Sequence, residues 1–66
     1  MICITSCGYD HVKLDENFDV EKETAVFVVT VATKDTYERV EYTDFALAAK
    51  DYKAKAAWLE ERKEVA

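Results

Sequence analysis

The last third of the chain, from Asp44 to Lys63, contains neither proline nor glycine, and its apolar residues recur with the period of an α-helix. On a wheel of about 100° per residue, these residues fall into two stripes on opposite sides. The first comprises Phe45, Ala49, Tyr52, Ala56 and Leu59, with Ala48 at its margin. The second comprises Leu47, Ala54, Trp58 and Val65. Because a helix on a small domain needs one apolar stripe, the second predicts a surface for a partner.

With 66 residues, the chain has the length of one domain, and we expect a single domain over residues 1–66. Half of the residues are apolar and 12% are aromatic, which is too hydrophobic for intrinsic disorder. The 14 acidic residues outnumber the 9 basic ones, giving a net charge of −5. This charge would repel phosphates, so direct nucleic-acid binding is not expected.

No stretch reaches the roughly 18 to 20 apolar residues of a membrane span, and the first residues lack the pattern of a secretory signal. Two cysteines, Cys3 and Cys7, are too few for a disulfide scaffold, and four residues of extended chain hold them about 13 Å apart. We therefore expect reduced thiols, no membrane association and a cytoplasmic location.

The first 14 residues predict a β-hairpin with strands over Met1–Thr5 and His11–Leu14. Gly8, the only glycine, is placed in the turn because it tolerates positive φ at least cost. A three-residue loop over residues 7–9 pairs apolar with apolar residues: Ile4 with Val12, and Ile2 with Leu14.

A second hairpin is predicted from Thr24–Thr33, which is dense in β-branched residues, and Tyr37–Thr43. Between them we expect a loop of about four residues, since no glycine or asparagine marks a tighter turn. Thr43 or Asp44 can cap the helix. The hydrophobic pattern selects a register with two apolar pairs: Val29 with Val40, and Phe27 with Tyr42.

Two hairpins followed by a helix predict a small α+β two-layer domain. It has an antiparallel sheet of about four strands, with the C-terminal helix packed on one face. The predicted core joins residues from both layers: Ile2, Ile4, Val12, Leu14, Phe27, Val29, Val31, Val40, Tyr42, Phe45, Ala49, Tyr52, Ala56 and Leu59.

Residues 15–23 are expected to form a charged surface connection in which only Phe18 and Val20 are apolar. Its alternating oxygen-bearing side chains resemble the start of an EF-hand calcium loop, but Val20 and Val26 replace the glycine and glutamate that such a loop requires. We therefore expect a solvated connection without calcium. Folded under the sheet, with Phe18 as its plug, it would cover the outer valines of the Thr24–Thr33 strand.

Cys3, Cys7 and His11 are spaced four residues apart, but this is not a recognised zinc pattern, and we interpret the cysteines as packed thiols. His11 is the only histidine, and the single glycine excludes a phosphate-binding loop. Tyr9, Asp10 and His11 could cluster at a turn, but an exposed turn is favoured. The sequence predicts no catalytic residue, cofactor or metal and indicates a non-enzymatic protein.

Two surfaces exceed what the fold needs. One is the helix stripe with Leu47 and Trp58, where tryptophan is typical of binding sites, although Trp58 could instead fold onto the sheet edge. The other is the outer face of the sheet, which carries Val26, Val28, Ala32, Tyr37, Arg39 and Glu41. We expect a protein that binds and modulates another protein, and inhibition is the favoured form of this modulation. The alternative is a homodimer, formed helix to helix through Trp58 or sheet to sheet through the outer valines.

In its size and acidity the chain is similar in general character to virus-encoded inhibitors of host transcription, restriction or immunity, some of which offer carboxylates to nucleic-acid-binding sites. The resemblance implies a partner protein with a basic groove. Phe18 or Trp58 would be the apolar anchor, and the carboxylates facing the groove would be those of Asp15, Glu16, Asp19, Glu21 and Glu23.

Overall fold

The structure is a computed structural model that describes residues 2–65, with side chains described for residues 2–61. Its elements are β1 (Cys3–Cys7), β2 (Asp10–Asp19), β3 (Thr24–Ala32), β4 (Tyr37–Tyr42) and α1 (Phe45–Val65). The strands form one antiparallel sheet in the order β1-β2-β3-β4, and α1 packs on one face. This confirms the predicted fold class, an α+β domain with a four-stranded antiparallel sheet and a C-terminal helix.

The core lies between α1 and the two central strands. Its buried side chains are Val12 and Leu14 of β2, Val29 and Val31 of β3, and Ala48 and Leu59 of α1. Cys7, Phe27, Tyr42 and Tyr52 pack around them, partly buried. The structure therefore confirms that the first predicted stripe faces the sheet. Ala48 is buried at its centre rather than at its margin, and Phe45 is half exposed at its end.

The predicted register of the first hairpin is wrong by one residue. Cys7 pairs with Asp10, so the loop contains only Gly8 and Tyr9. Gly8 has a φ of 62° and Tyr9 does not have a positive φ, which is the pattern of a type II′ hairpin turn. The turn geometry therefore decides the register, and it overrides the pairing of apolar residues that the sequence favoured.

The one-residue shift exchanges the two faces of β1. Thr5 now pairs with Val12 and Cys3 with Leu14 on the side of the helix. Ile4 pairs with Lys13 on the outer face and is 48% exposed. Ile2, on the same face of the strand, is also exposed, so neither isoleucine belongs to the core.

The predicted surface connection over residues 15–23 is also wrong, because β2 continues to Asp19. Asp15 pairs with Val28 and Asp19 with Thr24, and only residues 20–23 form the turn. The β-branched β3 begins at Thr24, and the acidic segment pairs with it to that residue. Phe18 lies on the helix side of the sheet, so it does not plug the outer face.

The second predicted register is confirmed, with Val29 opposite Val40 and Phe27 opposite Tyr42. The connection over residues 33–36 is closed by the N–H of Thr33, which donates to the carbonyl of Thr36 at 2.7 Å. Asp44 caps the helix, since its carboxylate accepts a 2.8 Å hydrogen bond from the N–H of Ala46.

Candidate protein-binding surfaces

The β2–β3 hairpin extends beyond the rest of the sheet. β1 pairs with β2 only as far as Leu14, and β4 pairs with β3 only as far as Phe27. Beyond these limits β2 and β3 continue as a two-stranded ribbon, which we call the arm and define as residues 16–26. The arm contributes to the long dimension of the domain, which measures 44 × 20 × 15 Å.

The helix does not cover the arm. Its first residue, Phe45, packs edge-on against Phe27 at the base of the arm, with ring centroids 5.2 Å apart. Farther along α1, Tyr52 reaches Thr5 and Lys55 reaches Glu38, and both contacts lie several residue pairs away from the arm. The helix therefore starts at the base of the arm and runs in the opposite direction.

The tip of the arm is the turn over residues 20–23, and Asp19, the residue before it, stabilises the turn. One carboxylate oxygen of Asp19 accepts hydrogen bonds from the backbone N–H groups of Glu21 at 3.1 Å and Lys22 at 3.2 Å. Glu23 closes the turn with a φ of 52°, in the left-handed region that glycine adopts more readily. A strained residue at an exposed tip is a feature that often accompanies function.

Large apolar side chains are exposed on the arm. Phe18 is 64% exposed and Val20 is 76% exposed. Phe18 pairs with the small Ala25 and lies on the same face of the sheet as the half-buried Phe27. Single exposed apolar residues are ordinary, but these two lie close together on a projecting ribbon, which makes the arm a candidate site for a partner.

The arm is strongly acidic. It contains Glu16, Asp19, Glu21 and Glu23 against one basic residue, Lys22, which gives 11 residues a net charge of −3. Asp15 lies at the base of the arm, on the outer face of the sheet. Six of the eight residues predicted to bind a partner therefore lie together on one hairpin: Asp15, Glu16, Phe18, Asp19, Glu21 and Glu23.

The other two predicted residues, Leu47 and Trp58, lie on the helix and are not brought to the arm. Leu47 is exposed in the first turn of α1, and Trp58 is 43% exposed. Trp58 lies 13 positions after Phe45, a distance of about 20 Å along a helix axis. Trp58 and the arm are therefore separate surfaces. The side chain of Val65 lies outside the described residues.

The outer face of the sheet is covered by its own charged side chains. Val28 is only 2% exposed, and Thr30 beside it is also buried. Ion pairs flank them on the two strands next to β3: Lys13 with Asp15 on β2 at 3.7 Å, and Arg39 with Glu41 on β4 at 3.2 Å. The aliphatic parts of such side chains cover apolar surface, which explains the burial of Val28 without any segment folded under the sheet.

A cluster of polar side chains joins α1 to β4 at the edge of the core. The hydroxyl of Tyr42 donates to the carboxylate of Asp51 at 2.8 Å, and Lys55 donates to Asp51 at 2.9 Å and to Glu38 at 2.8 Å. The hydrogen bond to Asp51 raises the pKa of Tyr42. Burial opposes the charge of Lys55, but its hydrogen bonds to Glu38 and Asp51 outweigh this and raise its pKa. This cluster fixes the helix on the edge strand.

The candidate metal-binding trio is not assembled. Cys3 and Cys7 are free thiols on the helix side of β1, whereas His11 lies on the outer face. Cys7 is partly buried as expected, but Cys3 is exposed, so the packed thiol predicted at Cys3 is wrong. Within the residues whose side chains are described, no group of three His, Cys, Asp or Glu side chains could hold a metal ion.

A shallow cleft of about 530 Å³ lies between the two turns at the end opposite the arm. Cys7, Tyr9, Asp10, Lys34 and Asp35 line it. The carboxylate of Asp10 accepts a hydrogen bond from the N–H of Lys34 at 3.1 Å, which ties the two turns together. We assign this contact a structural role.

Across residues 2–65, no helix has the length and apolar character needed to cross a membrane. The chain matches no model of a known protein family, no curated protein and no solved structure.

Proposed function

We propose that the chain is a non-enzymatic binding protein that uses its arm to engage a basic groove on another protein and so inhibits that protein. The observation that carries this proposal is the combination of exposed Phe18 and Val20 with a local charge of −3 on a ribbon that neither the helix nor the outer strands cover. The acidic side chains would steer the encounter and fix the register, and Phe18 would bury its ring in the partner.

The shape of the arm supports insertion rather than flat contact. A two-stranded ribbon is narrow enough to enter a groove, and the buried Val12, Leu14, Val29 and Val31 anchor its base in the core. A partner can therefore contact both faces and the tip without disturbing the fold. A positively charged groove is typical of proteins that bind nucleic acid.

We extend the proposal to the class of partner: a nucleic-acid-handling or defence protein of a host cell, inhibited by a virus-encoded protein in the cytoplasm. Support for this step comes from the acidic arm and from the general similarity in size and charge to such inhibitors. Occupation of the groove by carboxylates would exclude the phosphates of the natural ligand.

The test compares two matched variants as immobilised baits in lysate of the native host, followed by mass spectrometry. The arm variant combines Glu16→Gln, Phe18→Ser and Glu21→Gln, and spares Asp19, which holds the turn. The helix variant combines Trp58→Ser, Glu60→Gln and Glu61→Gln, so it removes one aromatic ring and two charges at exposed positions far from the arm. Circular dichroism of both variants checks that they retain the helix.

We expect a protein with a basic groove that wild type and the helix variant retain and the arm variant loses. Its retention should weaken as salt rises toward about 0.5 M, because salt screens exposed charges. A partner lost by the helix variant and kept by the arm variant would assign binding to Trp58 and refute the role of the arm. Retention independent of salt would refute the basic groove.

A further inference from the structure

The outer face of the sheet carries its charges in two rows across the strands. The register places Lys13, Thr30 and Arg39 side by side, with Ile4 next to Lys13 at the edge. The next row on the same face contains Asp15, Val28 and Glu41. In the first row, two cations lie on either side of Thr30. In the second row, two carboxylates lie on either side of Val28. Thr30 and Val28 are small and buried.

We infer, independently of the arm, that this face binds a second copy of the chain to form a two-fold symmetric dimer. Consider a two-fold axis lying in the face, perpendicular to the strands and midway between the two rows. It carries the cationic row of one copy onto the anionic row of the other, so Lys13 faces Asp15 and Arg39 faces Glu41 across the interface. A two-fold interface must be complementary to itself, and this pattern of charges meets that requirement.

The charges also select this orientation against the other in-plane axis. A two-fold axis parallel to the strands would set each row against itself, so that Lys13 would face Thr30 and Arg39 would face Ile4. No cation would then meet a carboxylate of the partner. The axis perpendicular to the strands instead gives four ion pairs between the copies. Each of them adds to an ion pair that already exists along a strand.

The residues between the charges suit close packing of two sheets. Thr30 of one copy would face Val28 of the other, and both are small and already shielded from water. Packed sheets are about 10 Å apart, which long lysine and arginine side chains can span. Exposed Ile4 would meet Ile2 of the other copy at the edge of the interface, where each would be covered.

The size of the face predicts a weak dimer. The interface consists of the two charged rows and the row on each side of them, which contain His11, Ala32 and Tyr37 on one side and Asn17 and Val26 on the other. Four strands at about 4.8 Å and four rows at about 6.6 Å give a face of roughly 20 by 26 Å, so two copies would bury on the order of 1,000 Å² in total. This is at the low end for a specific interface. Because the interface is small and charged, we expect association only at high protein concentration.

Sedimentation of the wild-type chain between about 10 µM and about 1 mM tests the dimer. The mass should rise from 7.6 kDa toward twice that value. A Lys13→Glu, Arg39→Glu variant makes the face wholly acidic, and an Asp15→Lys, Glu41→Lys variant makes it wholly basic. Each alone should remain monomeric, whereas an equal mixture should form a heterodimer more readily than wild type forms a homodimer.

The matched control is Lys50→Glu, Lys53→Glu. It makes the same change in net charge as the acidic-face variant, but at exposed positions on the helix. It should dimerise as wild type does. Wild type that remains at 7.6 kDa at about 1 mM would overturn the inference. So would dimerisation that survives in the acidic-face variant, or that is lost on Trp58→Ser, since the contact would then lie elsewhere.

Discussion

The hydroxyl oxygens of Thr5, on the edge strand β1, and Tyr52, on the helix, lie 2.7 Å apart. This hydrogen bond exists because the two-residue turn at Gly8 and Tyr9 brings Thr5, rather than Ile4, to the side of the helix. It is part-buried and joins residues 47 positions apart in the chain. The edge strand is therefore fastened to the helix by a polar contact where an apolar one was predicted.

Removing either hydroxyl should destabilise the fold modestly. We expect Tyr52→Phe and Thr5→Val each to lower the free energy of unfolding by about 0.5 to 1.5 kcal/mol, the usual contribution of one hydrogen bond. The double variant should lose less than the sum, because both changes remove the same bond. Urea unfolding measures all three, with Tyr9→Phe as the control, since Tyr9 is fully exposed. Additive losses would mean that the two hydroxyls do not interact.

The register of β1 can be tested by comparing a buried leucine with an exposed isoleucine. Leu14→Ala should lower the free energy of unfolding by about 2 to 5 kcal/mol, because it leaves a cavity in the core. Ile4→Ala should cost at most about 1 kcal/mol, because Ile4 is half exposed on the outer face. Comparable losses in urea unfolding would favour the three-residue loop and place Ile4 in the core.

Relief of the strained turn should stabilise the arm. Glu23 has positive φ, so Glu23→Gly should raise the free energy of unfolding by about 0.5 to 1 kcal/mol. Glu21→Gly removes the same charge from the same turn at a position without positive φ, and it should lower stability by a similar amount. Thermal unfolding of the two variants should therefore shift in opposite directions, and equal shifts would contradict the left-handed conformation of Glu23.

Stability should fall at alkaline pH through the cluster of Tyr42 and Lys55. The pKa values of both groups are raised in the folded state, above 10.0 for Tyr42 and 10.5 for Lys55. Both therefore bind their protons more tightly when folded, so their contribution is complete below the unfolded pKa values and is lost as pH rises through the folded ones. Tyr42→Phe should flatten the decline in free energy of unfolding from about pH 9 to about pH 12. A variant with the wild-type slope would exclude this role.

The sequence predicted the fold best where its pattern was compatible with only one arrangement. In β3 and β4, a slip of one residue would place Phe27 against Glu41, so the hydrophobic pattern alone fixed the pairing with Tyr42. In α1, the helical period and the absence of breakers defined both the element and its buried side. Asp44 was one of two predicted caps, and it is the one whose carboxylate binds the first turn.

The two errors have different physical causes. In β1 both registers offer an alternating strand, and the choice depends on the backbone of the Gly8 turn, which hydrophobicity does not report. In β2 the segment from Asp15 to Asp19 is largely exposed, so it carries no apolar alternation to identify it as a strand. The acidic residues of this segment were predicted from their charge to face a partner, which stays a prediction, and their arrangement on a projecting arm was not predicted.

The most direct test of the arm is the affinity of the captured partner for wild type and for the arm variant Glu16→Gln, Phe18→Ser, Glu21→Gln, measured by isothermal titration calorimetry. Loss of a buried aromatic anchor and two charges facing a basic groove should weaken binding by about tenfold or more. The helix variant Trp58→Ser, Glu60→Gln, Glu61→Gln should bind as wild type does. An arm variant with wild-type affinity would contradict the proposal that the arm is the binding surface.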